Sequence, residues 1–406
     1  MSSDSEFKFL QDLLRPNDSK IILLVLDGLG GLPTEGGDGA TVLEAAETPN
    51  LDALAEQGIC GLHEAAGTGV TPGSGPAHLA LFGYDPRRFQ VGRGVLSALG
   101  IGFDLQDGDV AARGNFCSMD DEGCVTDRRA GRIDSEKGRE LCRLLKEIEV
   151  PGVELFVEPV KEYRFVLVLR GRDLSPDLGD TDPQATGKEA LPPKPGSQEA
   201  ERSANLVQQF LEEARKKLCG QDPANMVLLR GFSSRPDWPT FQEAFGLRAA
   251  ALADYPMYRG VARLLEMDAL DCGQSLENKI ELVKAHWDAF DFFYIHVKRT
   301  DSAGEDGDTQ TKQAQIEQVD QHLPALRELE PDVLMVTGDH STPAAMQSHS
   351  WHPVPTVLWA KNARPDAVKN FGERVCIAGG LGPRFPTTDL MPLSLAHAGR
   401  LRKFGA

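Results

Sequence analysis

The sequence predicts an α/β fold with a mainly parallel sheet, into which a smaller α/β domain is inserted. Ile21–Leu26 is an unbroken apolar run that ends in Asp27-Gly28, and a strand without polar alternation implies burial on both faces, as in a central parallel strand. Asp332-Val-Leu-Met-Val336 repeats the pattern, closing through Thr337-Gly338 into Asp339-His340. From about Asp109 to Phe245 the texture changes to polar segments, long helical patterns and separate strands, which marks the insertion. The expected boundaries are 1–108 with 246–406 for the main domain and 109–245 for the insert.

The chain of 406 residues is long enough for two domains, and 41% hydrophobic with 26% charged residues is an ordinary globular balance. A formal charge of −18 opposes nucleic-acid binding, so an anionic substrate needs a local basic pocket or metal ions. Met1–Leu14 lacks the basic start and apolar core of a secretory signal, and no apolar run approaches membrane-spanning length. Seven scattered cysteines without a Cys-x-x-Cys pair suit reduced thiols, and the expected compartment is the cytoplasm.

In chain order, the glycines of Asp27-Gly28-Leu29-Gly30-Gly31 miss the dinucleotide fingerprint, because their spacing is wrong and an acidic residue opens them. Thr48-Pro49 starts a helix with Thr48 as N-cap and Gly58 as its end. Gly67–Gly73 is a glycine-rich loop that delivers Ser74 to the start of an apolar helical run. Such a Ser serves as a mere N-cap in many proteins, but backbone N–H groups and the helix dipole also favour a phosphoryl group there. Ser74 is the nucleophile candidate.

Within the insert, helices are expected over Ser135–Glu149 and Ser197–Leu218, and strands over Phe165–Leu169 and Met226–Leu229. Gly171–Gly196, rich in Pro, Asp and Gly, reads as a long surface loop: a hinge, a lid or a connection. Arginines crowd this domain, most densely at Arg128, Arg129 and Arg132, and guanidinium suits bidentate carboxylate and phosphate binding. Back in the main domain, a helix over Gln274–Trp287 precedes a strand over Phe290–Val297. That strand leads into Lys298-Arg-Thr-Asp301-Ser-Ala-Gly304-Glu305 and a helix of about four turns from Thr309. The Asp and Gly run after it misses the EF-hand ligand spacing.

Strands that end near Asp27, Asp301 and Asp339 thus bring three carboxylates, with Glu305, His340 and His349 alongside, to one edge of one sheet. Oxygen and imidazole donors in that number suit a pair of divalent ions, and a pair of ions with a Ser is the apparatus of phosphoryl transfer.

Asp27-Gly28, Thr71-Pro-Gly-Ser74 with Ala77-His78-Leu79, Asp127-Arg-Arg-Ala-Gly-Arg132 and Asp180-Thr-Asp-Pro183 all enter one resemblance. So do Thr300-Asp301, Thr337-Gly-Asp-His-Ser-Thr-Pro343 and His349-Ser-Trp-His-Pro-Val-Pro355. Together they resemble the archaeal-type, cofactor-independent phosphoglycerate mutases of the alkaline phosphatase superfamily, over nearly the whole chain. The resemblance implies an alkaline-phosphatase-like three-layer core and interconversion of 3- and 2-phosphoglycerate through a phosphoserine on Ser74. It implies one metal site of Asp27, Ser74, Asp339 and His340 and a second of Asp301, Glu305 and His349. Arg129, Arg132, Arg164 and Arg259 are the implied substrate ligands. Two divalent ions are expected, manganese first, with magnesium, cobalt or zinc also compatible, and no 2,3-bisphosphoglycerate. The implied partner is a small phosphorylated substrate, with no nucleic acid and no membrane. Two positions depart from the family pattern: Glu305 stands where His is common, which hardens that site toward manganese or magnesium, and Gly75-Pro76 replaces an acidic residue followed by Thr or Val. A metal-dependent phosphohydrolase or another phosphomutase of the superfamily is the alternative on the same scaffold.

Overall fold

In the computed structural model of the protein, which describes residues 4–34 and 39–405, Ile21–Leu26 is buried along its whole length. It pairs in parallel with Phe292–Val297 on one side and Val333–Thr337 on the other. The full sheet has eight strands in the order Gly382–Pro386, Ile59–Glu64, Val354–Ala360, Val333–Thr337, Ile21–Leu26, Phe292–Val297, Ala249–Leu252 and Asp268–Ala269. Val354–Ala360 alone among these runs antiparallel to its neighbours. The sheet is mainly parallel, as its apolar strands predict.

Register positions the chemistry. Leu26 lies opposite Val297 and Val25 opposite Thr337, so the residues that follow these strands, Asp27, Lys298 and Gly338, emerge at one edge. Alternation along the strands separates two helical layers. Ile22, Leu24, Phe293 and Ile295 share one core with Leu51, Leu54, Ile280, Val283, Ile316 and Val319 from helices Pro49–Gln57, Leu276–Ala285 and Thr309–Arg327. Phe292, Tyr294 and His296 take the opposite face, against Phe241, Phe82 and Tyr258. The core is therefore three-layered.

The chain groups into two units, Met1–Gln90 with Trp238–Ala406, and Val91–Asp237. Helix Arg93–Gly100 belongs to the second unit because Gly94 lets it lie directly on a strand: a Cβ there would stand 2.0 Å from Ala111 O. This unit is a five-stranded antiparallel sheet in which Val110–Met119 pairs with Arg164–Arg170 and Met226–Ser233, Glu154–Lys161 lies outside Arg164–Arg170, and Val125–Asp127 extends the far end. Helices Ser135–Leu145 and Glu201–Lys217 cover its apolar face with Leu141, Leu145, Val207, Phe210 and Ala214. The stretch after Gly171 is stitched to that sheet: Asp182 accepts from Arg128 Nε at 2.8 Å, Asp180 Oδ1 from Gly231 N at 2.7 Å, and Thr181 N donates to Leu229 O at 2.9 Å.

Local differences from the sequence expectations fall at element ends. The first long helix of the second unit stops at Leu145, the next is preceded by a 3₁₀ turn over Gln198–Ala200, and Thr48 precedes its helix without a side-chain cap, Pro49 supplying the start. Among the described residues no helix is long and apolar enough to cross a membrane.

Candidate active site

Three loops at the carboxyl edge of the large sheet are packed almost backbone to backbone. Gly28 adopts φ +64°, and a Cβ there would meet Thr342 Oγ1 at 2.5 Å and Asp301 Oδ1 at 2.8 Å, while a Cβ on Gly304 would meet Thr342 O at 2.4 Å. Glycine is required by space as well as by conformation. This packing brings Asp27, Asp301, Asp339 and His340 together in buried positions, although they come from three different strand ends.

Hydrogen bonds determine which atoms are left over. Asp27 Oδ2 is held by Tyr258 OH, by His296 Nε2 at 3.1 Å and by Lys298 Nζ at 3.1 Å. Asp339 Oδ1 accepts from Gly28 N at 2.9 Å and His340 N at 3.0 Å. Among the described residues, Asp27 Oδ1 and Asp339 Oδ2 have no hydrogen-bond donor. Thr342 Oγ1 lies 2.6 Å from Asp301 Oδ1 and 3.0 Å from His340 Nδ1. An ionised carboxylate only accepts, so the single Thr proton goes to Asp301, and His340 Nδ1 must carry the proton it gives to Thr342. In the neutral ring, His340 Nε2 is then a lone pair. It stands 3.5 Å from Asp27 Oδ1, 3.2 Å from Asp339 Oδ2 and 3.3 Å from Ser74 Oγ. Buried lone pairs so arranged repel one another unless a cation lies between them. The donor set of two carboxylates, an imidazole and a hydroxyl fits a divalent transition metal.

The same reasoning applies beside it. His349 Nδ1 donates to Pro72 O at 3.1 Å, which leaves Nε2 bare, 3.6 Å from Asp301 Oδ1 and 3.7 Å from Glu305 Oε1. Asp301 Oδ2 is fixed by Lys298 Nζ at 2.5 Å. The His340 and His349 rings stack with centroids 3.7 Å apart, and Asp301, His340 and His349 offer ligand atoms within 4.8 Å of one another. Glu305 comes from the open side, its side chain 53% exposed.

Ser74 is the first residue of helix Ser74–Leu81, after Gly73, and His78 one turn on accounts for its fixed position. His78 Nδ1 donates to Ser74 O at 2.8 Å and stands 3.3 Å from Asp339 Oδ2. Burial raises the Asp339 carboxyl, but the His340 and His78 rings in their protonated form, together with the Gly28 N–H, outweigh it and hold the group well below the usual carboxylate range. Burial and Asp339 likewise push Asp27 up, and Lys298 with His296 reverses that to a lowered value.

In the second unit, the arginines separate. Arg128 is spent on Asp182, Nη2 to Oδ2 at 2.7 Å. Arg129 and Arg132 are exposed, on a turn whose backbone N–H groups at Arg129 and Gly131 bond Asp127 at 2.8 and 2.6 Å. Arg164 is instead brought into a group with Arg93, Arg113 and Arg230. Burial first, and then these three neighbours, push Arg113 down to about 10, and among the described residues its Nε has no partner. Asp180 Oδ2 and Asp182 Oδ2, each 3.4 Å from Arg230, offset part of this charge. Arg259 lies in the first unit on helix Pro256–Leu264, next to Tyr258, with Asp271 Oδ1 3.7 Å from its Nη1.

Sequence reasoning passed over Tyr258, His296, Lys298, Thr342 and Arg93. Lys298 and Thr342 stood inside the quoted stretches without a role, and His296 left a trace as a polar residue inside the apolar run Phe292–Val297.

Residues 55–225 match the family model described as 2,3-bisphosphoglycerate-independent phosphoglycerate mutase. The chain is 49% identical over 405 residues to a Thermus thermophilus protein, across 98% of this chain and 99% of that one. It is 47% identical over 401 residues to one from Thermosipho africanus, across the same shares. Both relatives bear the name "Probable 2,3-bisphosphoglycerate-independent phosphoglycerate mutase". Among solved structures, a Pyrococcus horikoshii protein matches with TM-score 0.83 at 29% identity, covering 96% of this chain and 99% of that one. The cofactor-independent phosphoglycerate mutase of Thermoplasma acidophilum matches with TM-score 0.72 at 32% identity, covering 94% and 100%.

Proposed function

The chain belongs to the 2,3-bisphosphoglycerate-independent phosphoglycerate mutase family of isomerases, and from that membership we propose that it interconverts 3- and 2-phosphoglycerate through a phosphoserine on Ser74 at a two-metal centre. The observation that carries the proposal is the convergence of Asp27 Oδ1, Asp339 Oδ2 and Ser74 Oγ on the bare Nε2 of His340. These four residues would hold one ion, and Asp301, Glu305 and His349 the second. When bound, divalent ions lower the pKa of a coordinated hydroxyl and neutralise phosphate oxygens. Manganese suits the carboxylate donors, and magnesium, cobalt or zinc is compatible with the set.

Ser74 Oγ attacks the phosphorus of 3-phosphoglycerate as the bond to the 3-oxygen breaks, and the proton that Ser74 loses is balanced by the one the departing 3-oxygen takes up, giving phosphoserine and glycerate. The released glycerate turns, its 2-hydroxyl attacks the phosphoserine, and Ser74 Oγ departs. Phosphate is conserved, and no bisphosphorylated cofactor is needed because the Ser carries the group between turns. His78 keeps the Ser74 turn still through its bond to Ser74 O. Tyr258 and Lys298 hold Asp27 with one oxygen free. The Val91–Asp237 unit takes the role of substrate-binding domain, with Arg164 beside Arg93, Arg113 and Arg230 as its anion ligands and Arg129 and Arg132 contributing further charge; Arg259 lies in the other unit, where its Nη1 faces Asp271. The substrate is small and soluble, and the seven free thiols suit the cytoplasm.

Supplying Mn²⁺ and 3-phosphoglycerate and following both 2-phosphoglycerate and free phosphate tests the reading. Isomer without free phosphate is expected, and rapid acid quench should leave phosphate on the peptide that contains Ser74. Free phosphate in step with substrate loss would assign a phosphohydrolase instead.

A further inference from the structure

Helix Thr309–Arg327 buries Ile316, Val319, Leu323 and Leu326 against the large sheet, and the same stripe begins one turn earlier with Lys312, which is wholly buried. A lysine at the head of an apolar stripe has to satisfy its ammonium inside the protein. Among the described residues Lys312 forms no ion pair. It gives its three protons to backbone carbonyls instead, to Gly28 O at 2.8 Å, Thr342 O at 2.8 Å and Gly30 O at 3.3 Å.

The two residues it holds most closely are those that orient the metal ligands. Gly28 follows Asp27 directly, and its N–H fixes Asp339 Oδ1. Thr342 fixes the tautomer of His340 and one oxygen of Asp301. Gly30 O also accepts from Thr342 N at 3.0 Å, so the loops after two strands are tied at one point, and Lys312 is that point's third strand of support. The loops have no slack, as the contacts a Cβ would make at Gly28 and Gly304 demonstrate.

We infer that Lys312 is a positioning residue for the metal centre, clamping Gly28 and Thr342 so that the bare atoms of Asp27, Asp339, His340 and Asp301 converge. The inference rests on the two-metal reading above. Lys312 touches neither substrate nor the reacting atoms, and acts through the loops alone. Asp308 caps the helix by accepting from Thr311 N at 2.9 Å, which fixes the turn from which the side chain reaches in.

The test is Mn²⁺ binding to the chelator-treated full chain, read from the loss of the free aqueous Mn²⁺ EPR signal. Lys312→Met keeps the apolar stem and removes every proton donor, and is expected to weaken Mn²⁺ binding at least tenfold with the far-UV circular dichroism retained. Lys312→Gln keeps two donors and should fall between that variant and the natural protein. Leu323→Ala, a core truncation farther along the same helix, should lower the melting temperature and leave Mn²⁺ binding unchanged. Folded Lys312→Met that binds Mn²⁺ like the natural protein overturns the inference and leaves the metal reading standing. Failure of the natural protein to bind Mn²⁺ overturns both. If Lys312→Met does not fold, Lys312→Gln decides alone: unchanged affinity overturns, and weakened affinity with intact circular dichroism supports.

Discussion

At the carboxyl edge of the large sheet, Asp27, Asp339 and His340 aim bare oxygens and a bare nitrogen at one another, whereas in the Val91–Asp237 unit Arg93, Arg113, Arg164 and Arg230 crowd with only partial compensation from Asp180 and Asp182. The first region is rich in acceptors and the second in donors. They differ also in how they are held. The carboxylates are buried and clamped by backbone N–H groups, Tyr258, His296 and Lys298, while Arg93 is exposed and Arg113, Arg164 and Arg230 are partly buried at the ends of long side chains. A fixed set of acceptors in one unit and a group of long donors in the other is the division of labour that the proposed relay would require.

The comparison is tested hardest at the rigid region. Ser74→Ala should abolish turnover, by a factor of at least about 10³, and still bind metal, since Asp27, Asp339 and His340 remain; isomer production by this variant, followed by NMR, would break the assignment of the nucleophile. Chelation should likewise remove activity, with manganese or cobalt restoring it best, and full activity in metal-stripped protein would show that the bare atoms serve another purpose. Asp339→Asn should lower activity by several orders of magnitude while the far-UV spectrum is unchanged, because a neutral amide is a poorer ligand and the apolar strand does not depend on it.

At the adaptable region smaller effects are expected, with an unusual sign in stability. Arg113→Met should raise KM by roughly ten- to a hundredfold, the equivalent of a lost charged hydrogen bond of about 1.5–3 kcal/mol. It should also raise the melting temperature of the free protein, since burial and three like-charged neighbours already oppose this guanidinium. Arg129→Ala, on the exposed turn, should change KM less. Equal effects from the two would move the anion site toward Arg129 and Arg132.

A last expectation concerns pH and stability and leaves turnover aside. His63 is buried behind the rigid region, its Nε2 2.9 Å from Thr337 Oγ1 and 3.0 Å from Gly338 O, and burial pushes it down from 6.5 to about 4. Its folded pKa is depressed, so the unfolded chain binds the proton more readily. The associated stability is present above pH 6.5 and is lost as pH falls through about 4, amounting to about 3 kcal/mol in all. His63→Gln should flatten denaturant-measured stability between pH 6.5 and 4, and an unchanged slope would place the titration elsewhere.

Much of the rigid region was legible in the sequence, because its signals are local. An apolar run closed by Asp27, another closed by Asp339-His340, and a glycine-rich loop before Ser74 each announce themselves within about ten residues. They also imply the parallel sheet, since continuous apolar strands need cover on both faces. The arginine group was legible only in part, through Arg164. The local density at Arg128, Arg129 and Arg132 reflects a tight turn and an ion pair to Asp182, whereas the guanidinium groups that do gather come from helix Arg93–Gly100 and three separate strands.

The sequence by itself determined the residue types, the strand ends that carry them and the α/β class. Only the tertiary structure decided which oxygen of Asp27 and of Asp339 is left bare, which nitrogen of His340 holds the proton, and that Lys312 grips Gly28 and Thr342. The reason is physical: a side chain's kind is written in the chain, but its free lone pairs are what remain after every neighbour, however distant in sequence, has taken its hydrogen bond.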